Sequence, residues 1–286
     1  MFRAGDLAAG ALVLAAYLTC PCVAQDPEMT PGVYADAATG ITFTTWSAPL
    51  DENGDGTYTF GMVLPADAAT RNATEYLGYL KCQIKNADHT GWCGVAHGGH
   101  MTDDLLLMAW PYLAQANVTA NTTRPGGKRQ SAGGTWQVLT SFRWATDYFP
   151  PGPYNGSSNG NATAGSVQLP ILTQISSRVD FGGGTWELLY RCQNCFAWSQ
   201  DGWTESVATA VASGGGDDGG SGAELVLGHA QSFDGPQGNA GCPDSIVVPF
   251  HDNGYGQWAA SLANVSRPEY KRWASLATSM SRGSCR

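Results

Sequence analysis

Two neighbouring stretches alternate apolar with polar residues and decide the fold class: Ile41-Thr42-Phe43-Thr44-Thr45-Trp46 and Thr57-Tyr58-Thr59-Phe60-Gly61-Met62-Val63-Leu64. An alternation with a period of two is typical of half-buried β-strands. The connecting residues 51–56 have the composition of the first half of a calcium-binding loop, but Met62 stands where such a loop needs a glutamate. The two stretches therefore predict an antiparallel hairpin with its turn at 51–56.

Short strand patterns separated by turn residues continue along most of the chain. Further strands are predicted at Tyr76–Lys85, Trp92–Ala96, Leu105–Trp110, Thr135–Trp144, Ser166–Ile175, Thr185–Arg191 and Glu224–Leu227. One helix is predicted at Arg267–Met280, where Pro268 fits a first helical turn. Its apolar face consists of Tyr270, Trp273, Ala274 and Leu276. This pattern predicts an all-β fold, an antiparallel immunoglobulin-like β-sandwich with a short C-terminal helix.

The first 24 residues have the organisation of a secretory signal peptide. Arg3 provides the positive region, residues 8–18 the apolar region, and Cys22-Val23-Ala24 the small residues before a cleavage site at Gln25. No later segment is apolar enough to span a membrane, and the C-terminus lacks a lipid-anchor signal. We expect a secreted, extracellular protein with a signal peptide at 1–24, one domain at 25–262 and a helical tail at 263–286.

Charge and glycosylation signals agree with that localisation. The net charge of −9 makes nucleic acid and anionic membranes poor partners. Six sequons predict a glycoprotein, with acceptors at Asn72, Asn117, Asn121, Asn155, Asn161 and Asn264.

Six cysteines remain after cleavage of the signal peptide, which predicts three disulfides in a secreted protein. The C-x-x-C at Cys192–Cys195 is interpreted as a local disulfide. It lacks the βαβ context of a redox motif, and Phe196 stands where a covalent haem site needs histidine. Cys82 and Cys93 flank a predicted hairpin turn and would face each other across two strands. The remaining pair would be Cys242 and Cys285, and this disulfide would attach the C-terminal tail. The pairing beyond Cys192–Cys195 stays open.

No hydrolase or phosphate-binding motif is present, so we expect no catalytic residue. The chemistry is expected instead at the glycine-rich bend Gly98-Gly99-His100-Met101, which precedes an apolar run ending at Trp110. A methionine at a fixed bend beside a buried strand can present its thioether to a ligand, although a buried core position is the more common role of a lone methionine.

Four motifs, in the same order, resemble the cytochrome domain of fungal cellobiose dehydrogenase. They are Gly98-Gly-His-Met101-Thr-Asp-Asp-Leu-Leu-Leu-Met-Ala-Trp110, Arg143-Trp-Ala-Thr-Asp-Tyr148 with the later Tyr154, Arg191-Cys-Gln-Asn-Cys195 and Phe250-His251-Asp-Asn-Gly-Tyr-Gly256. The resemblance covers about residues 33–256. It implies a DOMON-type, iron reductase-like β-sandwich that binds one haem b.

The resemblance also implies roles for individual residues. Met101 and His251 would be the two axial ligands of the haem iron. Tyr148 would lie by a haem propionate, and Tyr154 and Arg143 would line the same region. With both axial positions filled, the iron is suited to outer-sphere electron transfer, and the haem is non-covalent because no C-x-x-C-H exists.

The chain departs from the family pattern at two histidines. His100 replaces a small apolar residue before the methionine, and Gly228-His229 stands where the family has Ala-Trp. Either imidazole could lie near the haem. A bis-histidine site, with His100 or His229 in place of Met101, therefore stays open as an alternative.

We expect a monomeric electron carrier rather than a stand-alone enzyme, because the sequence lacks the flavin domain of cellobiose dehydrogenase. By resemblance, its donor would be an extracellular flavoenzyme or a small reductant. Its acceptor would be a copper-dependent lytic polysaccharide monooxygenase, an enzyme of lignocellulose degradation, or a ferric complex. The alternative function is a non-redox carbohydrate-binding or adhesion β-sandwich, with Trp198, Trp203 and Trp258 as an exposed platform.

Overall fold

The structure is a computed structural model that describes most of the chain. The described residues are 29–48, 57–68, 71, 73–84, 90–114, 134–156, 168–207, 224–262, 264–279 and 285. The predicted signal peptide and the predicted turn at 51–56 lie outside them, as do the sequons at Asn72, Asn117, Asn121 and Asn161. None of the helices in these ranges is long and apolar enough to cross a membrane.

The first large sheet, sheet 1, is antiparallel apart from one short strand. Its spatial order is β1 (Thr30–Ala35), β2 (Thr42–Ser47), β3 (Tyr58–Pro65), β4 (Glu75–Gln83), β10 (Thr185–Gln193) and β9 (Ile171–Asp180). The short strand β15 (Ser266–Arg267) pairs with the end of β3 in parallel. The predicted hairpin of β2 and β3 is confirmed, with Trp46 opposite Phe60.

The second large sheet, sheet 2, is formed by strands from the middle and the end of the chain. Its order is β14 (Tyr255–Ser261), β13 (Glu224–Ser232), β5 (Trp92–Ala96), β6 (Leu106–Ala114), β7 (Thr135–Trp144) and β8 (Gly152–Pro153). A separate hairpin consists of β11 (Ala197–Gln200) and β12 (Trp203–Ser206). The predicted all-β antiparallel sandwich is confirmed.

The main core lies between the two sheets. Phe60, Leu80 and Leu188 of sheet 1 meet Val95 and Leu107 of sheet 2 in one buried cluster. Burial of each such side chain stabilises the fold by about 2 kcal/mol. Since side chains alternate along a strand, the neighbours of Val95 on β5, Gly94 and Ala96, lie on the outer face of sheet 2.

The three disulfides join Cys82 to Cys93, Cys192 to Cys195 and Cys242 to Cys285. The predicted hairpin between Cys82 and Cys93 is wrong, although the two cysteines do pair. Cys82 is on β4 of sheet 1, and Cys93 is on β5 of sheet 2. The residue pattern of each segment predicts a strand, but it does not show to which sheet that strand belongs.

Because Cys82–Cys93 ties the two sheets together, we expect its removal to destabilise the sandwich. Its sequence separation of 11 residues corresponds to about 3 kcal/mol of loop-closure entropy. Urea unfolding of the Cys82→Ala/Cys93→Ala variant should therefore show a lower midpoint with a similar slope. The same midpoint in the parent and the variant would show that the bridge does not stabilise the folded state.

The C-terminal helix is shorter than predicted and covers the outer face of sheet 1. Helix α1 comprises Tyr270–Ala274, whereas the pattern predicted Arg267–Met280. Tyr270 and Trp273 pack on Ile41, Phe43 and other residues of the sheet. The preceding residues are held in β15 instead, and Leu276 is 40% exposed.

Candidate functional site

A cavity of about 600 Å³ lies on the outer face of sheet 2. Its floor is formed by Gly94 and Ala96 of β5 and by Gly228 and Ala230 of β13. The strand register pairs Ala96 with Gly228 and Gly94 with Ala230. Small residues at four adjacent positions of two neighbouring strands keep this part of the sheet low, and the backbone of Gly99 lies over Gly228, where a Cβ would be 2.9 Å from the Gly99 carbonyl oxygen. A planar ligand can therefore reach down to the sheet with its edge, between the walls of the cavity.

The first wall of the cavity is the loop 97–104, here called the methionine loop, which connects β5 to β6. Gly99, His100 and Met101 line the cavity. Gly99 has a φ of +87°, and a Cβ there would lie 2.6 Å from Cγ1 of Val226. The loop therefore packs closely on β13 and requires glycine at this position.

A buried carboxylate fixes the methionine loop from inside. Asp104 is 2% exposed. It accepts hydrogen bonds from the backbone N–H of Gly98 at 2.8 Å and of His100 at 3.0 Å. The far end of the loop is tied by Asp103, whose N–H donates to the Ala145 carbonyl at 2.8 Å. These contacts hold the backbone on both sides of Met101, so its side chain leaves the loop at a defined place.

The environment of Asp104 predicts a pH dependence of stability. Burial outweighs the backbone hydrogen bonds and raises its pKa from 3.8 to about 7. The folded state then binds a proton that the unfolded chain has released, so the free energy of unfolding falls as pH rises from about 4 to about 7. Asp104→Asn removes the titration. Relative to that variant, the parent should lose stability over this range in urea unfolding.

The matched control is Asp103→Asn, since the Asp103 side chain takes part in none of these hydrogen bonds. A pH profile of Asp104→Asn that runs parallel to that of the parent would show that Asp104 does not titrate there.

The second wall is the segment that precedes β14 and contains His251. The imidazole of His251 lies between the rings of Phe250 and Tyr255, at centroid distances of 4.3 and 4.5 Å. It is partly buried, and burial lowers its pKa below 6.5. Its Nδ1 has no hydrogen-bond partner among the described residues. A neutral, preoriented imidazole is a suitable ligand for a metal ion.

Buried donors hold this second wall in place. The guanidinium of Arg143, 1% exposed, donates to the carbonyls of Ile246 and Pro243. The Trp110 indole N–H donates to the Ala240 carbonyl at 2.9 Å. Nearer to His251, the Ser232 hydroxyl donates to Asp252 at 2.7 Å. The backbone that presents His251 is thus attached to the same sheet that forms the cavity floor.

The structure brings three of the five predicted cofactor-binding residues to one cavity: Met101, His251 and Tyr148. Tyr148 is 82% exposed at the rim. Arg143 lies under the His251 segment, and Tyr154 exchanges hydrogen bonds with the backbone of Ser199 at 2.9 and 3.1 Å. Neither of these two lines the cavity.

The two unusual histidines occupy different places. His100 is exposed on the methionine loop, and its Nδ1 lies 3.2 Å from Nε2 of Gln257. His229 reaches the cavity wall on β13, but its ring packs against Tyr58 and Trp258, with centroids 4.9 and 6.0 Å away. Tyr58 belongs to sheet 1, so the His229 ring points into the sandwich interior.

A third histidine, His97, is structural. It is fully buried, its Nδ1 donates to the Leu105 carbonyl at 2.8 Å, and its Nε2 accepts from the Tyr76 hydroxyl at 2.9 Å. Burial lowers its pKa to about 4. Although His97 lies close to Cys192 and Cys195, both sulfurs are in a disulfide. They are therefore unavailable as thiolate ligands.

Sequence reasoning missed the cavity floor and the role of Asp104. The signal for the floor was present: Gly94-x-Ala96 and Gly228-x-Ala230 both place small residues on one face of a strand. The signal for Asp104 was weaker, because an aspartate three residues after Met101 also fits an exposed turn.

The donor set and the shape of the cavity fit a planar iron cofactor. A thioether and an imidazole line the cavity from two separately held segments, and the sheet between them carries small residues that leave room for the edge of a macrocycle. Among the residues that the structure describes, the other histidines at the wall are His100 and the inward-turned His229.

The chain is similar to known proteins over most of its length. Residues 34–131 and 133–272 match the family model of the cytochrome domain of cellobiose dehydrogenase. The solved cytochrome domain of Myriococcum thermophilum cellobiose dehydrogenase is 35% identical with a TM-score of 0.65. That alignment covers 87% of this chain and 97% of that domain.

Two further similarities involve Coprinopsis cinerea. The cytochrome b domain of its pyranose dehydrogenase has the same fold, with 22% identity and a TM-score of 0.57. Coverage is 87% of this chain and 96% of that one. Its pyrroloquinoline quinone-dependent pyranose dehydrogenase is 27% identical over 170 residues, which are 59% of this chain. The aligned region spans only 17% of that relative's length.

Proposed function

The chain belongs to the family of the cytochrome domain of cellobiose dehydrogenase, and we propose that it is a secreted electron-transfer protein that binds one haem b non-covalently between Met101 and His251. The observation that supports this most directly is that both side chains line one cavity, whose floor is formed by small residues. They are 150 residues apart in the sequence, so only the folded sandwich brings them together.

When bound, the haem supplies a one-electron Fe(III)/Fe(II) couple. Met101 and His251 would both bind the iron, which would leave no open coordination position for oxygen or peroxide. The thioether of Met101 favours the reduced state more than a second imidazole would. The small floor residues would set the depth of the cofactor, and Asp104 and Arg143 hold the two ligand segments in position.

The exposed aromatic platform needed by the carbohydrate-binding alternative is not supported. Trp198 is 1% and Trp258 7% exposed, and the Trp198 indole donates to the Asp103 carbonyl. Of the three tryptophans, Trp203 is the one that is exposed, at 50%. Two of the three tryptophans therefore pack in the core, and a single exposed ring does not form a carbohydrate-binding platform.

Secretion is supported by features that suit an oxidising compartment. Three disulfides are formed, and both sequon asparagines in the described ranges, Asn155 and Asn264, are exposed. As donor we propose an extracellular flavoenzyme or a small reductant. As acceptor we propose a lytic polysaccharide monooxygenase or a ferric complex.

Stopped-flow mixing tests this function. Protein loaded with haem and reduced by ascorbate is mixed anaerobically with a copper(II) lytic polysaccharide monooxygenase, and separately with a ferric chelate. We expect stoichiometric reoxidation at a rate proportional to acceptor concentration. The haem-free protein, treated in the same way, is the control. Reduced protein that fails to reoxidise with either acceptor would contradict the proposal.

A further inference from the structure

The methionine loop presents a second potential iron ligand. His100 and Met101 are consecutive, and both line the cavity. The backbone N–H of His100 donates a hydrogen bond to Asp104 at 3.0 Å. This hydrogen bond keeps the residue at the cavity wall. A buried structural role does not explain His100, because its side chain is exposed.

Gln257 gives this imidazole the outer partner that ligand histidines usually have. Its side-chain amide lies 3.2 Å from Nδ1 of His100 and also lines the cavity. With the amide rotated so that its oxygen accepts from Nδ1–H, the lone pair of His100 Nε2 is free to bind a metal ion. A carbonyl oxygen that accepts a hydrogen bond from the ring nitrogen not bound to the metal ion is the usual means of orienting a ligand imidazole.

We propose that His100 is a reserve ligand, which binds the haem iron in place of Met101 whenever the thioether is absent or detached. This inference rests on the proposed haem function and deepens it. The consequence is protective: loss of Met101 leaves the iron six-coordinate, with no open position for peroxide. His229 is not equivalent, because its ring packs between Tyr58 and Trp258 inside the sandwich.

The test compares Met101→Leu with Met101→Leu/His100→Ala, both loaded with haem b. In the reduced state we expect Met101→Leu to keep a low-spin, six-coordinate spectrum, with a lower midpoint potential than the parent. The double variant should be five-coordinate and high-spin. If His100 occupies the iron about nine-tenths of the time, Met101→Leu should bind carbon monoxide about tenfold more weakly than the double variant.

The control for the other imidazole is Met101→Leu/His229→Phe, in which a ring still fills the place between Tyr58 and Trp258. It should remain low-spin like Met101→Leu. A high-spin spectrum here, together with a low-spin spectrum in the His100 double variant, would overturn the assignment to His100. Met101→Ala is the second background should Met101→Leu fold poorly.

The outcomes separate this inference from the proposed function. If Met101→Leu is already high-spin and binds carbon monoxide as the double variant does, His100 is no reserve ligand, although the haem function stands. If neither the parent nor any variant binds haem, the proposed function fails first.

Discussion

His251→Ala is expected to lose haem binding almost completely. Loss of a partner outside the ligand shell already weakens metal binding by about 10–100-fold, so loss of the ligand itself should weaken haem binding by at least about 100-fold. The methionine loop would remain, since its backbone is held by Asp104 rather than by the His251 segment. Spectroscopic titration of the haem-free protein with hemin measures the dissociation constant directly.

Chemical rescue distinguishes a missing ligand from a damaged fold. The Ala variant leaves a gap between the rings of Phe250 and Tyr255, and free imidazole should enter it and restore a low-spin spectrum. Thermal stability of the haem-free variant should stay close to that of the haem-free parent. If His251→Ala takes up haem with the parent's affinity and spectrum, His251 is not a ligand.

Ala96→Phe is also expected to abolish haem binding, because a larger side chain on the cavity floor would occupy space that the haem needs. Ala96 lies beside Gly228, and the Cβ position of Gly228 is 3.1 Å from its methyl group. A phenyl ring at this position must project into the cavity of about 600 Å³, because the sheet leaves no space behind it. We expect an apparent hemin affinity at least about 100-fold lower, a loss of roughly 2.7 kcal/mol.

Ala259→Phe provides a matched control for this variant. Ala259 is exposed and lies on the same face of sheet 2, on β14, but it does not line the cavity. Hemin titration of both variants, with unfolding curves of their haem-free forms, separates obstruction from instability. Equal hemin affinity of Ala96→Phe and Ala259→Phe would show that the floor does not position the cofactor.

Much of the sheet structure could be predicted because alternation is a local signal. The strands at Trp92–Ala96 and Thr135–Trp144 begin and end where the pattern predicts. Strand β14 escaped prediction, although its burial alternates from Tyr255 to Ser261. Apart from Tyr255 and Trp258, its residues are small or polar, so the sequence shows little apolar contrast. The strand is defined instead by its pairing with β13.

Which strands share a sheet could not be predicted from alternation. Cys82 and Cys93 illustrate this, since the two strands that they join are consecutive in the chain but belong to opposite sheets. Sheet membership depends on long-range pairing, such as that of β5 with β13. That pairing brings the small residues of the two strands side by side, and their spacing within each strand does not show that they are neighbours.

The candidate site divides in the same way. Met101 and His251 were found because their motifs resemble a known family, and the structure places both at one cavity. Arg143 was expected to line the haem region, and it instead holds the carbonyls of Pro243 and Ile246. The sequence motif does not show whether Arg143 lines the haem region or supports the backbone of a neighbouring segment. Its role depends on the segment that folds over the sheet.

The visible absorption spectrum of the purified protein in both redox states tests the central claim most directly. Protein produced with a haem supply, or reconstituted with hemin, should show a sharp α band and a shifted Soret peak on reduction, as expected for low-spin haem b with Met101 and His251 as ligands. Protein that takes up no hemin, or that shows a reduced high-spin spectrum without a sharp α band, would contradict the account.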